Sequence, residues 1–268
     1  MSNAMKAKII LLLLLFPSCL SLKSQKKADP SRTVKVLSFN IYHGETMKGD
    51  FDLEVLAKVI KKADPDFVAM QEVDFLTNRA KKYDLATELG WRTKMAPLFG
   101  KAMDYDGGAY GEGVLSRFTL LSSRNVALPF VKGQEPRAAL EVVSMLPSGD
   151  TVAFVGTHFA HEGKEGRIMQ AQKINEVFSQ NTYPTILAGD LNAQPGSKTI
   201  NTLEEVWQST YDKENPAFTF SSDNPRIKID YVMFYPKHRW KIVETKVIAD
   251  TVASDHCAYL VTLELLEE

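Results

Sequence analysis

The sequence predicts an α/β domain of two packed sheets with helices covering their outer faces. Strand-like apolar runs outnumber helical segments, and hairpin turns are mixed with helical connections. Residues 32–268 contain no repeat, low-complexity tract or linker, so one domain is the economical reading. Regular strand–helix alternation alone would suit a doubly wound parallel sheet; the hairpins favour two sheets facing each other.

Each element has a local reason. Val34 to Phe39 alternates as a first strand ending at Asn40. Asp52 caps a helix whose apolar positions, Leu53, Leu56, Val59, Ile60 and Ala63, recur at three and four. Asp64-Pro65-Asp66 stops it, and Phe67-Val68-Ala69-Met70 forms a buried strand leading to Gln71-Glu72. Ala80 to Leu89 reads as a helix closing at Gly90. Residues 96–113 read as a glycine-rich loop before the strand Val114-Leu115-Ser116. Ala138–Met145 and Thr151–Gly156 make a hairpin turning at Pro147-Ser148-Gly149-Asp150, and its second strand delivers Thr157-His158. Gly166 to Ser179 forms an amphipathic helix with Ile168, Ala171, Ile174 and Phe178 on one face. Thr185–Ala188, Ile229–Phe234, Lys241–Ile248 and Cys257–Leu263 complete the strands.

The N-terminus stands apart. Met1 to Ala4 reads as a cloning remnant, and Lys6 and Lys8 precede the apolar run Ile9 to Phe16, too short to span a bilayer as a helix. Residues 1–24 therefore read as remnant plus secretory signal, residues 25–31 as a tether, and residues 32–268 as the domain. Two processing routes fit: lipidation of Cys19 after Pro17-Ser18, or cleavage near Ser24-Gln25 and release. The expected setting is exported: periplasmic, outer-membrane lipoprotein or secreted.

Composition narrows the partners. A net charge of −1 over 268 residues argues against a surface built to hold long duplex DNA. With Cys19 in the signal, Cys257 is alone, so the domain has no partner for an internal disulfide. Its apolar neighbours favour a buried, inert thiol. No CxxC or His-x-x-x-His spacing suggests zinc, so a bound metal would take oxygen ligands, as magnesium, manganese or calcium do. No obligate protein partner is evident.

Polar groups gather at strand ends: Asn40, Glu72, His158, Asp190, Asn192, Asp230 and Asp255-His256. Singly, an Asn or Gly-Asp after a strand is a turn residue. Seven such endings in one chain point to a site, because buried polar groups must be hydrogen-bonded, solvated or bound to something.

The order of motifs resembles the endonuclease/exonuclease/phosphatase superfamily. The matching segments are Ser38-Phe39-Asn40-Ile41, Gln71-Glu72-Val73-Asp74, Gly113-Val114-Leu115-Ser116-Arg117, Thr157-His158, Gly189-Asp190-Leu191-Asn192, Ile229-Asp230-Tyr231 and Ser254-Asp255-His256. The resemblance implies a four-layer α/β/β/α sandwich of two mostly antiparallel sheets with the site at one edge. It implies that Glu72, helped by Asn40 and Asp255, holds a magnesium or manganese ion. Asp190 would orient or deprotonate the attacking water, and Asn192 would stabilise the phosphorane-like transition state. His256, oriented by Asp230, would contact the phosphate, with His158 near the leaving oxygen. Tyr42 stands where repair endonucleases carry a second acidic ligand, which shifts the metal toward Glu72 and Asp255. Tyr110, Glu112 and Arg137 are candidate substrate contacts, and a carboxylate in that region would pair with the second histidine. Asp74 with Arg79 resembles a feature of bacterial members; a surface salt bridge explains it equally.

His43 and His161 each follow a site residue by three positions and would rim the pocket. The basic stretch Pro236 to Lys241, with His238, reads as a solvated turn; the alternative is a contact for nucleic-acid backbone or lipid headgroups. The expected activity is an exported, metal-dependent phosphodiesterase acting on nucleic acid or phospholipid. Alternatives are a phosphomonoesterase of sugar or inositol phosphates, or a non-catalytic surface binding module. A carboxylic-ester hydrolase is disfavoured by the absence of Gly-x-Ser-x-Gly.

Overall fold

The computed structural model describes residues 28–267; the expected signal and Cys19 lie outside them. Where the expected tether enters, Asp29 caps a single turn, Pro30–Arg32, and Ser31 accepts a backbone hydrogen bond from Ser148.

Sheet 1 contains β1 (Thr33–Asn40), β2 (Phe67–Phe75), β3 (Ala96–Tyr105), β4 (Gly108–Ser116), β11 (Trp240–Ile248) and β12 (Ala258–Leu265), in the order β11-β12-β1-β2-β4-β3. Sheet 2 contains β5 (Leu120–Leu128), β6 (Arg137–Met145), β7 (Thr151–His158), β8 (Thr185–Asp190), β9 (Gln208–Ser209) and β10 (Asp230–Tyr235), in the order β5-β6-β7-β8-β10-β9. Each sheet has one parallel pair, β1/β2 and β7/β8, and is otherwise antiparallel. The parallel pairs need crossovers, supplied by α1 (Leu53–Ala63) and α3 (Lys164–Phe178).

Three cores define four layers. Val36, Phe67, Val114, Phe154, Ile186 and Val261 interdigitate between the sheets, with Phe67 stacked on Phe154 at 4.7 Å. Leu56 and Ile60 of α1 and Leu89 of α2 (Leu85–Thr93) seal the outer face of sheet 1. Ile174 and Phe178 of α3 and Leu203 of α4 (Lys198–Glu204) seal sheet 2. The α/β/β/α sandwich is therefore present, and strands buried on both faces, such as Thr185–Asp190, read as continuous apolar runs for that reason.

Several elements depart from the sequence reading. Residues 96–113 form a hairpin, not a loop. Asp106 (φ 45°) and Gly107 (φ 74°) are both left-handed at its tip, the Asp-Gly pair that a tight two-residue turn favours. The glycines that disguised β4 are packing requirements: a Cβ on Gly111 would lie 2.0 Å from the Gly100 carbonyl oxygen. Helix α2 starts at Leu85 and continues through the buried Gly90. Strand β5, at the edge and mostly exposed, carries no clean alternation, and α4, at seven residues, is too short for a periodic signal.

Candidate active site

Sheet register gathers the residues. On neighbouring strands of sheet 2, Asp190 pairs with His158 on one side and Asp230 on the other, so three polar side chains form a row at the sheet end. In sheet 1, Asn40 pairs with Gln71, and Glu72 follows on β2. A bulge sets two residues, Gln71 and Glu72, against one on β4, with Glu72 at φ 58°. Tyr42 (φ 46°), His43 (φ 44°) and Asn192 (φ 47°) share that left-handed conformation at the same edge. Such strain, of order 1–3 kcal/mol per residue, persists where surroundings over-determine it and clusters at functional sites.

The segment Ser254-Asp255-His256 is pinned from both sides. The Ser254 hydroxyl donates to the Asn40 carbonyl at 2.7 Å, and the Asp255 carbonyl accepts from the Ser222 amide at 2.7 Å. Phe220 packs its ring 4.8 Å from that of His256.

These groups surround one cavity of about 890 Å³, lined among others by His43, Glu72, His158, Asp190, Asn192, Asp255 and His256. Asp190 Oδ2 lies 3.4 Å from His158 Nε2, 3.6 Å from His256 Nε2 and 3.4 Å from Asn40 Nδ2. Asn40 also donates to Glu72 Oε1 at 3.0 Å, tying the sheets together. Its own oxygen accepts from the Tyr42 amide at 3.1 Å, so the nitrogen faces the carboxylates. Asn192 Nδ2 sits 3.0 Å from His158 Nε2 and donates to the Phe159 carbonyl at 3.0 Å.

The two imidazoles are set apart by their partners. Burial would lower the His256 pKa, but Asp230, 3.1 Å from Nδ1, and then Asp190 raise it to about 10. Burial pushes the Asp230 carboxyl up, and the imidazolium pulls it back only in part. His158 is driven the other way, first by burial and then by Arg137, whose Nη1 sits 3.0 Å from Nδ1. A guanidinium can only donate, so His158 Nδ1 accepts, while Nε2 faces both the Asn192 amide nitrogen at 3.0 Å and Asp190 at 3.4 Å.

Glu72 and Asp190 stay ionised despite burial. Desolvation would raise Glu72, but the His43 hydrogen bond, the His158 ring and the Asn40 amide hold it at about 2. Asp190 is likewise held well below the carboxylate range against burial, by His256 and then His158. Burial raises Asp255, and the negative charge of Glu72 across the cavity adds to it. Two hard-oxygen carboxylates repelling each other across a cavity suit a divalent cation, which would relieve that repulsion. One ligand atom from each of Asp190, Asp230 and His256 also lie within 4.8 Å of one another.

The other expected residues divide. Tyr110 and Arg137 line the cavity, with Arg137 Nη1 3.4 Å from the Tyr110 hydroxyl. Glu112 does not: it is fully buried and both its oxygens lack a hydrogen-bond partner, which raises its pKa well above normal. The expected carboxylate partner of the second histidine is thus replaced by Arg137. Arg79 makes a two-pronged pair with the buried Asp74 (2.7 and 2.9 Å) and stacks 4.6 Å from the Tyr105 ring, so this pair is a cavity wall, not a surface bridge. His43 and His161 do rim the cavity; His238 lies on the turn between β10 and β11, away from it. Sequence reasoning missed Phe220, Lys164, Arg167 and Lys198 on the walls. It also missed Lys228, buried 3.7 Å over the Tyr259 ring with Nζ donating to the Asp230 carbonyl at 2.9 Å. None follows a strand or falls in a matching motif, the main signals for site residues in the sequence.

Comparisons with known proteins agree with the fold. No curated protein matches the chain. The solved structure of an endonuclease/exonuclease/phosphatase from Beutenbergia cavernae is 23% identical with a TM-score of 0.72, over 87% of this chain and 72% of that one. One from Bacteroides vulgatus is 21% identical with a TM-score of 0.70, over 87% and 99%. The mannosyl-6-phosphatase of Bacteroides thetaiotaomicron is 18% identical with a TM-score of 0.66, over 87% and 100%. The model of the Endonuclease/Exonuclease/phosphatase family matches residues 37–256, from the middle of β1 to His256. The chain belongs to that family of phosphoester hydrolases.

Proposed function

We propose that this protein is an exported hydrolase of phosphodiester bonds that uses a magnesium or manganese ion held by Glu72 and Asp255. The observation that carries the reading is Asp190: an ionised, buried carboxylate without a lysine or arginine partner, surrounded by two imidazoles and an amide at 3.4–3.6 Å. Such a group is suited to orient and deprotonate a water molecule. The protonated His256, backed by Asp230, presents Nε2–H to the cavity as a donor to a phosphate oxygen. His158, neutral and anchored by Arg137, offers a second donor, and the Asn192 amide a third. Phosphoryl transfer depends mainly on positioning and charge neutralisation, and these groups supply both.

The bound cation would neutralise charge on the phosphate. Glu72 and Asp255 fit it better than the Asp190–Asp230–His256 cluster, because Asp230 already engages His256 Nδ1 and a ring that holds its proton is a poor ligand. The charged-then-apolar run from Lys6 to Phe16 supports the exported setting.

The test is a panel of supercoiled DNA, RNA, sphingomyelin, inositol phosphates and bis(p-nitrophenyl) phosphate, each with magnesium, manganese or EDTA. EDTA-sensitive turnover of at least one diester is expected, abolished in Asp190→Ala and His256→Ala proteins that still melt cooperatively. Turnover persisting in either variant, or of monoesters alone, counts against the proposal.

A further inference from the structure

The cavity is bipolar across the layers of the sandwich. Its acidic residues Glu72 and Asp255 come from sheet 1, whereas Lys164, Arg167 and Lys198 reach it from the α3/α4 layer outside sheet 2. Among the described residues, neither lysine has an ion-pair or hydrogen-bond partner. Arg167 donates from Nη1 to the Ala160 and His161 carbonyls (2.9 and 2.8 Å) but meets no carboxylate at ion-pair distance. Two acids of the adjoining loops are committed elsewhere, Glu135 to Arg137 at 2.8 Å and Glu162 to His161 at 3.6 Å, and Glu165 in the first turn of α3 makes no ion pair with Lys164, Arg167 or Lys198 among the described residues. Three uncompensated cations on one wall of a concave site raise the local concentration of anions and are themselves an incomplete charge pattern.

We propose that this wall is a second anion subsite, and that the substrate is a small organic phosphodiester carrying a second phosphate group, for which the bisphosphates below serve as two-anion binding probes. The inference rests on the reading of the site as a phosphoesterase and extends it to substrate class. Volume and layer order define the shape. About 890 Å³ falls in the small-molecule range, not that of a duplex groove. Lys164 and Lys198 open α3 and α4, in the layer outside the sheet that carries Asp190, so a phosphate at each place calls for an organic body between the two and not a shared oxygen. Ala193, Ile227 and Ile229, which also line the cavity, give that body an apolar shelf.

Binding is tested by calorimetry at low salt in EDTA, where turnover is stopped. The ligands are fructose 1,6-bisphosphate and adenosine 3′,5′-bisphosphate, their monophosphates, inorganic pyrophosphate and a 5′-phosphorylated thymidine tetranucleotide. At least one bisphosphate should bind the wild type about tenfold or more tightly than its monophosphates and than pyrophosphate. In Lys164→Glu/Lys198→Glu that preference should fall at least tenfold with the melting temperature retained; the milder Lys164→Gln/Lys198→Gln should show the same trend if charge reversal perturbs folding. Equal binding of bis- and monophosphates, no binding of either bisphosphate, or a preference that survives both double variants overturns the inference. Tetranucleotide binding tenfold tighter than the bisphosphates would overturn the compact substrate. A wild type that hydrolyses no ester yet shows the bisphosphate preference would sink the proposed activity and leave this subsite standing.

Discussion

Replacing Asp230 by Asn isolates the interaction that sets the charge of His256. Asp230 is wholly buried with both oxygens 3.1–3.2 Å from His256 Nδ1, and the ring is only 5% exposed. A rise of the ring pKa from 6.5 to about 10 corresponds to roughly 5 kcal/mol, at about 1.4 kcal/mol per pH unit. That shift is net of desolvation and shared with Asp190 and Asp255; removing one partner of a buried pair costs roughly 3–5 kcal/mol. Because the folded pKa is raised, this stabilisation is complete below about pH 6.5 and is lost as pH rises through about 10. Asp230→Asn should therefore lower the melting temperature by on the order of 10 °C at pH 6, with a smaller deficit at pH 10. Imidazole NMR in EDTA should show the His256 titration moving down by two units or more, and kcat should fall by about 10²–10⁴. A His256 ring that still titrates near 10 in the variant, or kcat within threefold of wild type, would refute the assignment of Asp230 as its partner.

Three further outcomes follow from the geometry. Glu72→Gln should weaken divalent-cation binding by more than the roughly 10–100-fold that loss of an outer-shell partner costs, read by manganese titration under electron paramagnetic resonance; unchanged affinity would move the metal away from Glu72. Gly189→Ala places a Cβ 1.9 Å from the Thr157 carbonyl oxygen, wedging apart the strands whose next residues are His158 and Asp190. It should cost at least about 1–3 kcal/mol in urea unfolding and reduce kcat, whereas wild-type values would show that the strands relax freely. Burial in the tyrosine cage depresses the Lys228 pKa from 10.5 to about 7, so its desolvation penalty is full below pH 7 and relieved as pH rises toward 10.5. The unfolding free energy of Lys228→Met minus wild type should thus shift in favour of wild type between pH 7 and 10, and a pH-independent difference would mean that Lys228 titrates normally.

Much of this was legible in the chain. Strong periodicity marked α1 and α3, and apolar runs ending in Asn40, His158 and Asp190 marked strands that do end at the cavity. The weaker elements were hidden for identifiable reasons. Strand β4 carries Gly108, Gly111 and Gly113, which lower strand propensity yet are required where another backbone approaches closely. Glu112, chosen by its place in a motif, shares a strand face with Tyr110 but is wholly buried and does not line the cavity.

By itself the sequence determined which groups are candidates for the chemistry and the sheet-and-helix class, because both depend on residue type and local period. Only the tertiary structure decided which groups share a proton, which wall carries unpaired charge, and that His158 meets Arg137 at Nδ1 and Asp190 at Nε2. Those outcomes arise from strand register and from the packing of elements on one another, which bring together residues far apart in the chain, such as Asn40 and Ser254, 214 positions apart. No local pattern encodes such distances; burial and charge, once assembled, fix the chemistry.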